Sequence, residues 1–141
     1  MAHRPIPQRP EGEWSYENLR VEADGDLLRV YLANADKANA LSPALLAELT
    51  DLYRRPLRES GVRAVLLGGE GKHFSAGADL QHLESLKNAG EEENLADSRA
   101  LRDLFESVLR QEALTVAMVQ GACVAGGCGL ATAHESDRHC R

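Results

Sequence analysis

The sequence predicts an α/β fold, and three observations carry that prediction. Short apolar runs with strand spacing alternate with longer stretches whose leucines recur at helical spacing. An Asp24-Gly25 pair lies between two alternating runs, the signature of a hairpin whose turn needs positive φ. Farther along, the succession of strand, small-residue bend and helix occurs twice.

Taken in order, residues 1–13 are polar and proline-rich and read as a disordered leader with no apolar signal-peptide centre. Residues 19–22 and 27–32 are the two hairpin strands, and residues 34–41 a loop. Ser42-Pro43 reads as an N-cap followed by proline in the first turn. Leu45, Leu46, Leu49, Leu52, Tyr53 and Leu57 then follow at helical spacing, with Gly61 beyond the end. Residues 62–67 form a third strand, broken by Gly68-Gly69-Glu70-Gly71. A loop of small residues runs to Asp79, and Leu80, Leu83 and Leu86 mark a short helix. Residues 88–94 are a polar break containing the solvated run Glu91-Glu92-Glu93. Leu101, Leu104, Phe105, Val108 and Leu109 mark a longer helix whose stripe reads as core packing. Residues 114–119 are a fourth strand, residues 121–129 a glycine-rich turn, and a last helix begins near Gly126 or Gly127. From Ala131 onward there is no Val, Ile, Leu, Met, Phe, Tyr or Trp, so no buried strand is expected there.

The 141 residues are enough for one domain. They carry 16 Lys and Arg against 22 Asp and Glu, a formal net charge of −6. An acidic chain lacks the electrostatic footprint of a nucleic-acid binder. No apolar stretch approaches the roughly 18 residues of a membrane span. Cys123, Cys128 and Cys140 are odd in number and crowded into the last fifth of the chain, so they read as reduced thiols of a cytoplasmic protein.

Chemistry concentrates in the two bends. Phe74-Ser75-Ala76-Gly77-Ala78-Asp79 and Gly121-Ala122-Cys123-Val124-Ala125-Gly126-Gly127 each follow a strand and open a helix. Tiny side chains let a ligand approach the backbone, and a helix N-terminus offers free N–H groups and partial positive charge. Two such amides converging on one point make an oxyanion hole, in which one donor is worth about 2.7–4 kcal/mol. Tight turns needed only for packing are the plain alternative.

Four segments carry a resemblance: Lys37-Ala38-Asn39-Ala40-Leu41, His73-Phe74-Ser75-Ala76-Gly77-Ala78-Asp79-Leu80, Val119-Gln120-Gly121 and Ala125-Gly126-Gly127-Cys128. In order and separation they resemble the N-terminal half of the enoyl-CoA hydratase/isomerase (crotonase) family, over about residues 17–133. The resemblance implies a spiral of repeated ββα turns, assembly as a homotrimer or hexamer, acyl-CoA thioester substrates and an enolate intermediate. It implies no cofactor beyond the coenzyme A carried by the substrate. By position, the amides of Ala78 and Gly126 form the oxyanion hole and are the catalytic pair. Ala76, Asp79, Leu80 and Gln81 line the coenzyme A side, and Lys37 and Ala38 lie toward its nucleotide end.

Two departures qualify it. The first catalytic glutamate of the family's hydratases falls at Gly129, which transfers no proton, and the second falls beyond Arg141. That leaves open an isomerase, a branched-chain hydratase, a hydrolase or a decarboxylase. Residues 134–141 form an atypical polar tail where the family continues into an apolar strand, so a C-terminally truncated chain is expected. A catalytically inactive acyl-CoA-binding fragment is the alternative. A zinc module built on Cys123, Cys128, His134, His139 and Cys140 is disfavoured by their spacing. Residues 68–72 lack the full phosphate-loop pattern. His73 and His82 read as isolated surface or packing histidines.

Overall fold

The computed structural model describes residues 14–88, 90–123, 126–134 and 136–139, with the side chains of residues 80, 81 and 136–139 left aside. The expected leader, residues 1–13, lies outside this range.

A five-stranded sheet in sequential order forms the frame. Its first two strands, β1 (Leu19–Asp24) and β2 (Leu27–Leu32), make the antiparallel hairpin. Asp24 pairs with Leu27, so the turn residues are Gly25 and Asp26, one position later than the Asp24-Gly25 reading. Gly25 takes the positive φ, 63°, at the first turn position, where a two-residue turn of the glycine-first kind needs it.

After β2 every strand pairs in parallel: β3 (Ala64–Gly69), β4 (Leu114–Val119) and β5 (Ser136–His139). The third strand runs two residues past its apolar stretch. Gly68 accepts the Tyr31 ring, whose Cδ1 is 3.3 Å from where a Cβ would stand. The fifth strand lies in the stretch after Ala131, where the sequence predicts no buried strand, and the burial of its side chains lies outside the described set. A strand on the free edge of β4 is held by backbone pairing, which apolar patterning does not register.

Helix α1 (Pro43–Arg54) begins as expected, with Ser42 Oγ accepting the Leu45 N–H at 3.2 Å. It stops at Arg54 rather than continuing to Leu57. Arg55 precedes Pro56 and is extended (φ −70°, ψ 145°), as the proline ring demands of its predecessor. Leu57 is still fully buried. Helix α2 (Leu80–Lys87) is followed by α3 (Glu91–Arg110), so the polar break is shorter than expected. Glu91, Glu92 and Glu93 sit in the first turn of α3, where negative charge complements the helix dipole. The last helix, α4, spans Gly126–Ala133.

One face of the sheet buries Leu28, Val30, Leu32, Val65, Leu67, Ala117 and Val119. These join Leu45, Leu49 and Leu52 of α1 and Leu104 and Val108 of α3 in a single core. Not all of the α3 stripe is core, because Leu109 is 71% exposed. With β2, β3 and β4 parallel, the loops after them gather at one end of the sheet. That end is where open α/β sheets present ligand sites.

Candidate functional site

Three loops follow β2, β3 and β4, and each carries one of the sequence segments described above. Asn39 ties the first loop to the second. It is fully buried, at φ 52°, a left-handed conformation that asparagine tolerates better than most residues. Its Nδ2 donates to the carbonyls of Glu70 and His73, each at 2.9 Å, and its Oδ1 accepts the Asn34 N–H at 2.9 Å. Ser75, also buried, donates from Oγ to the Asn39 carbonyl at 2.8 Å and accepts the Gly77 N–H at 3.2 Å. The Ala76 N–H reaches the Ala38 carbonyl at 2.9 Å, and the Leu41 N–H reaches the Gly77 carbonyl at 2.6 Å.

The second and third loops are joined as firmly. Phe74 N–H donates to the Gln120 carbonyl at 2.8 Å and Ser75 N–H to the Ala122 carbonyl at 3.2 Å. The Gln120 Nε2 donates to the carbonyls of Gly69 (3.0 Å) and Gly71 (2.6 Å). His73 Nδ1 accepts the Ala122 N–H at 2.9 Å, so a neutral ring carries its proton on Nε2. Gly121 leaves no room for a side chain, since a Cβ there would stand 2.1 Å from the Lys72 carbonyl oxygen.

Ala78 and Gly126 each adjoin Leu41. Ala78 pairs with Leu41 in a parallel bridge that uses the Gly77 carbonyl and leaves the Ala78 N–H aside. Among the described residues no acceptor takes that N–H. Gly77, at φ 88°, makes the bend that exposes Ala78. Gly126 is the first residue of α4, where an N–H has no partner inside the helix. A Cβ on Gly126 would stand 3.1 Å from Leu41 Cδ1 and 4.0 Å from Leu101 Cδ1. Gly127 packs on Ser75, whose Cβ lies 2.7 Å from the place of an added methyl. Both glycines are thus packing residues, since a side chain at either would press on a neighbour.

The other expected site residues fall around this knot. Ala76 is exposed beside Ala38, which is partly buried at φ 50°. Lys37 is exposed on a short 3-10 helix, Ala35–Lys37. Asp79 is partly buried just before α2, and its carbonyl accepts the Leu83 N–H at 2.9 Å. Leu80 and Gln81 open α2, and their side chains lie outside the described set.

Neither His73 nor His82 is isolated. His73 holds Ala122, and His82 Nε2 lies 2.6 Å from Asp97 Oδ1, joining α2 to α3. That pair borders a groove of about 680 Å³ between α1, α2 and α3. Sequence reasoning also gave no role to Asn39 or Gln120, although both stand inside the segments that carried the resemblance. Among the described residues no three His, Cys, Asp or Glu side chains are placed to hold a metal ion, while His139 and Cys140 fall outside that test.

Residues 22–135 match the family model described as Enoyl-CoA hydratase/isomerase. The chain belongs to that family. Within the enoyl-CoA hydratase/isomerase family it is similar to a Thermus thermophilus protein assigned by inference as an enoyl-CoA hydratase, at 47% identity over 113 residues, 77% of this chain and 43% of the relative. It is 34% identical over 129 residues to the human mitochondrial Delta(3,5)-Delta(2,4)-dienoyl-CoA isomerase, covering 84% of this chain and 39% of the isomerase. A solved Legionella pneumophila structure, assigned by inference as an enoyl-CoA hydratase/isomerase (crotonase), superposes with a TM-score of 0.83 at 38% identity. The alignment takes in 89% of this chain and 48% of that one, so the expected crotonase fold is the observed one. The chain spans less than half the length of each of these relatives. No described helix is long and apolar enough to cross a membrane.

Proposed function

We propose that this chain binds an acyl-CoA thioester and stabilises an enolate at its carbonyl oxygen, with the amides of Ala78 and Gly126 as the two donors. When a base takes a proton from the carbon beside the thioester, the electron pair of the broken C–H bond forms the new carbon–carbon double bond. The carbonyl π pair moves onto oxygen, where fixed N–H groups meet the growing charge. The observation that carries this reading is the Ala78 N–H, which no described acceptor takes, held through Leu41 beside the opening residue of α4. Ala76, Asp79, Leu80 and Gln81 would follow the coenzyme A stem, with Lys37 and Ala38 toward its phosphates. No cofactor beyond that coenzyme A is required, and we place the protein in the cytoplasm as a homotrimer or hexamer.

A second reading is an acyl-CoA binder without turnover. It is favoured by Gly129, which brings no proton-transferring group to α4. One experiment tests both. Crotonyl-CoA is added to the full chain, and the absorption band of the conjugated thioester is followed for position and for loss. A polarising hole moves the band to longer wavelength on binding, and turnover then removes it. Gly126→Pro deletes one donor at a first helical position, which proline tolerates. The variant is expected to lose the shift, with a penalty of about 2.7–4 kcal/mol on any turnover. An unshifted band at saturation, or an equal shift in the folded variant, overturns the oxyanion reading. A shift without loss of the band selects the binder.

A further inference from the structure

Inside α4, Gly129 stands where glycine is costly, by about 1 kcal/mol relative to alanine. Its neighbourhood supplies the reason. A Cβ at that position would lie 2.9 Å from Phe105 Cζ and 3.2 Å from Cε2. The Phe105 ring therefore lies directly on the backbone of α4. One turn earlier on each helix the pattern repeats, with Leu101 Cδ1 4.0 Å from the place of a Cβ on Gly126. Leu101 and Phe105 are four apart on α3, and Gly126 and Gly129 are three apart on α4, so each pair shares a helix face. Leu41 closes the upper end at 3.1 Å. The result is an apolar wall running along the glycine face of α4 and starting at the Gly126 amide. Leu101 and Phe105 are only partly buried, so the wall is not wholly consumed by the core.

We propose that Phe105, with Leu101 and Leu41, is the specificity-determining wall for the acyl group. Its ring takes the space that a side chain at 129 would need and limits bulk next to the thioester carbonyl. The substrate class is then a straight-chain acyl thioester, with aryl and α-branched acyl groups refused on shape. This rests on the oxyanion reading, since that reading fixes the carbonyl at Gly126.

Binding of butyryl-CoA, benzoyl-CoA and free coenzyme A to the full chain is measured by calorimetry. The carbonyl stretch of bound butyryl-CoA is recorded alongside. The wild-type chain is expected to prefer butyryl-CoA. Phe105→Ala is expected to move the benzoyl-to-butyryl affinity ratio toward benzoyl by about tenfold or more, the scale of hydrophobic pocket discrimination. Affinity for free coenzyme A stays put. Phe105→Leu keeps an apolar side chain, gives a smaller shift in the same direction, and decides the matter if the alanine variant does not fold. A ratio unmoved within twofold while the carbonyl band is displaced overturns the Phe105 assignment alone. An undisplaced carbonyl band, or no binding of butyryl-CoA above free coenzyme A, overturns the oxyanion reading and this inference with it.

Discussion

Two polar clusters, each with buried members, sit at opposite ends of the sheet, and they are built to different ends. At the carboxyl ends of the parallel strands, Asn39, Ser75 and Gln120 direct their side chains at loop backbone, chiefly carbonyls. At the other end, Gln111 Nε2 donates to the carbonyls of Tyr53 (2.7 Å) and Arg55 (3.0 Å). There the Tyr53 hydroxyl also meets His134 Nε2 at 2.7 Å, and His134 Nδ1 donates to the Leu130 carbonyl at 2.8 Å. The second cluster closes helix ends onto each other. The first fixes three irregular loops and leaves the Ala78 N–H without an acceptor among the described residues. Polar groups in one place tie helix ends together, while in the other they pin three loops to one another.

The sharpest way to break that contrast is at Asn39. Its replacement by alanine strands two carbonyls and one N–H at a fully buried position. It also puts alanine at φ 52°. Unmet buried groups cost about 1–3 kcal/mol each, and a left-handed alanine about 1–2 kcal/mol, so a total loss of roughly 3–5 kcal/mol is expected after partial rehydration. Denaturant unfolding measures it. Asn39→Gly relieves the backbone term only and is expected to be milder by about 1 kcal/mol. A loss below 1 kcal/mol for Asn39→Ala would remove this residue from the centre of the loop knot.

The opposite cluster is expected to answer more weakly. Burial holds the Tyr53 phenol well above its ordinary pKa, so the hydroxyl keeps its proton and donates to His134 Nε2. Tyr53→Phe removes that donor and preserves the ring, which packs edge-on against the histidine at 5.5 Å. The expected cost is about 1–2 kcal/mol, read by thermal or denaturant unfolding, with thioester binding unaffected in the folded variant. A stability loss equal to that of Asn39→Ala, or a defect in thioester binding, would erase the distinction between the two ends.

How legible each end was in the sequence follows from the same physics. Strand alternation, the Ser42-Pro43 helix start and the glycine bends are local signals, and the structure repeats them. Asn39 stood in plain view within a recognised segment. Its partners at Glu70 and His73 are more than thirty residues away, and composition does not announce a bond between them. His134 was counted with a polar tail because nothing apolar follows it. It is 5% exposed, made part of the interior by a tyrosine 81 residues earlier. Phe105 fitted the helical period of a core stripe, and only the glycine facing it shows that it also walls α4. Strand β5 escaped because edge pairing is written in backbone, which every sequence has.

The smallest expected effect lies away from both clusters and calibrates them. On the surface of α1, Asp51 accepts from the Tyr16 hydroxyl at 2.7 Å and from Arg55 at 3.2 Å. The Tyr16 hydrogen bond, with help from Arg55, holds the Asp51 carboxyl below its ordinary pKa. A carboxylate depressed in the folded state stabilises it above the unfolded value, near pH 3.9, and that support drains away as pH falls through the folded value. The Asp51 side chain is 58% exposed, so solvent screening leaves on the order of 0.5 kcal/mol. Tyr16→Phe is therefore expected to narrow its stability gap from wild type as the pH is lowered below about 4. Parallel urea titrations across that range check it. A gap that stays constant or widens in acid would mean that the Tyr16 hydroxyl does not act through the Asp51 carboxylate.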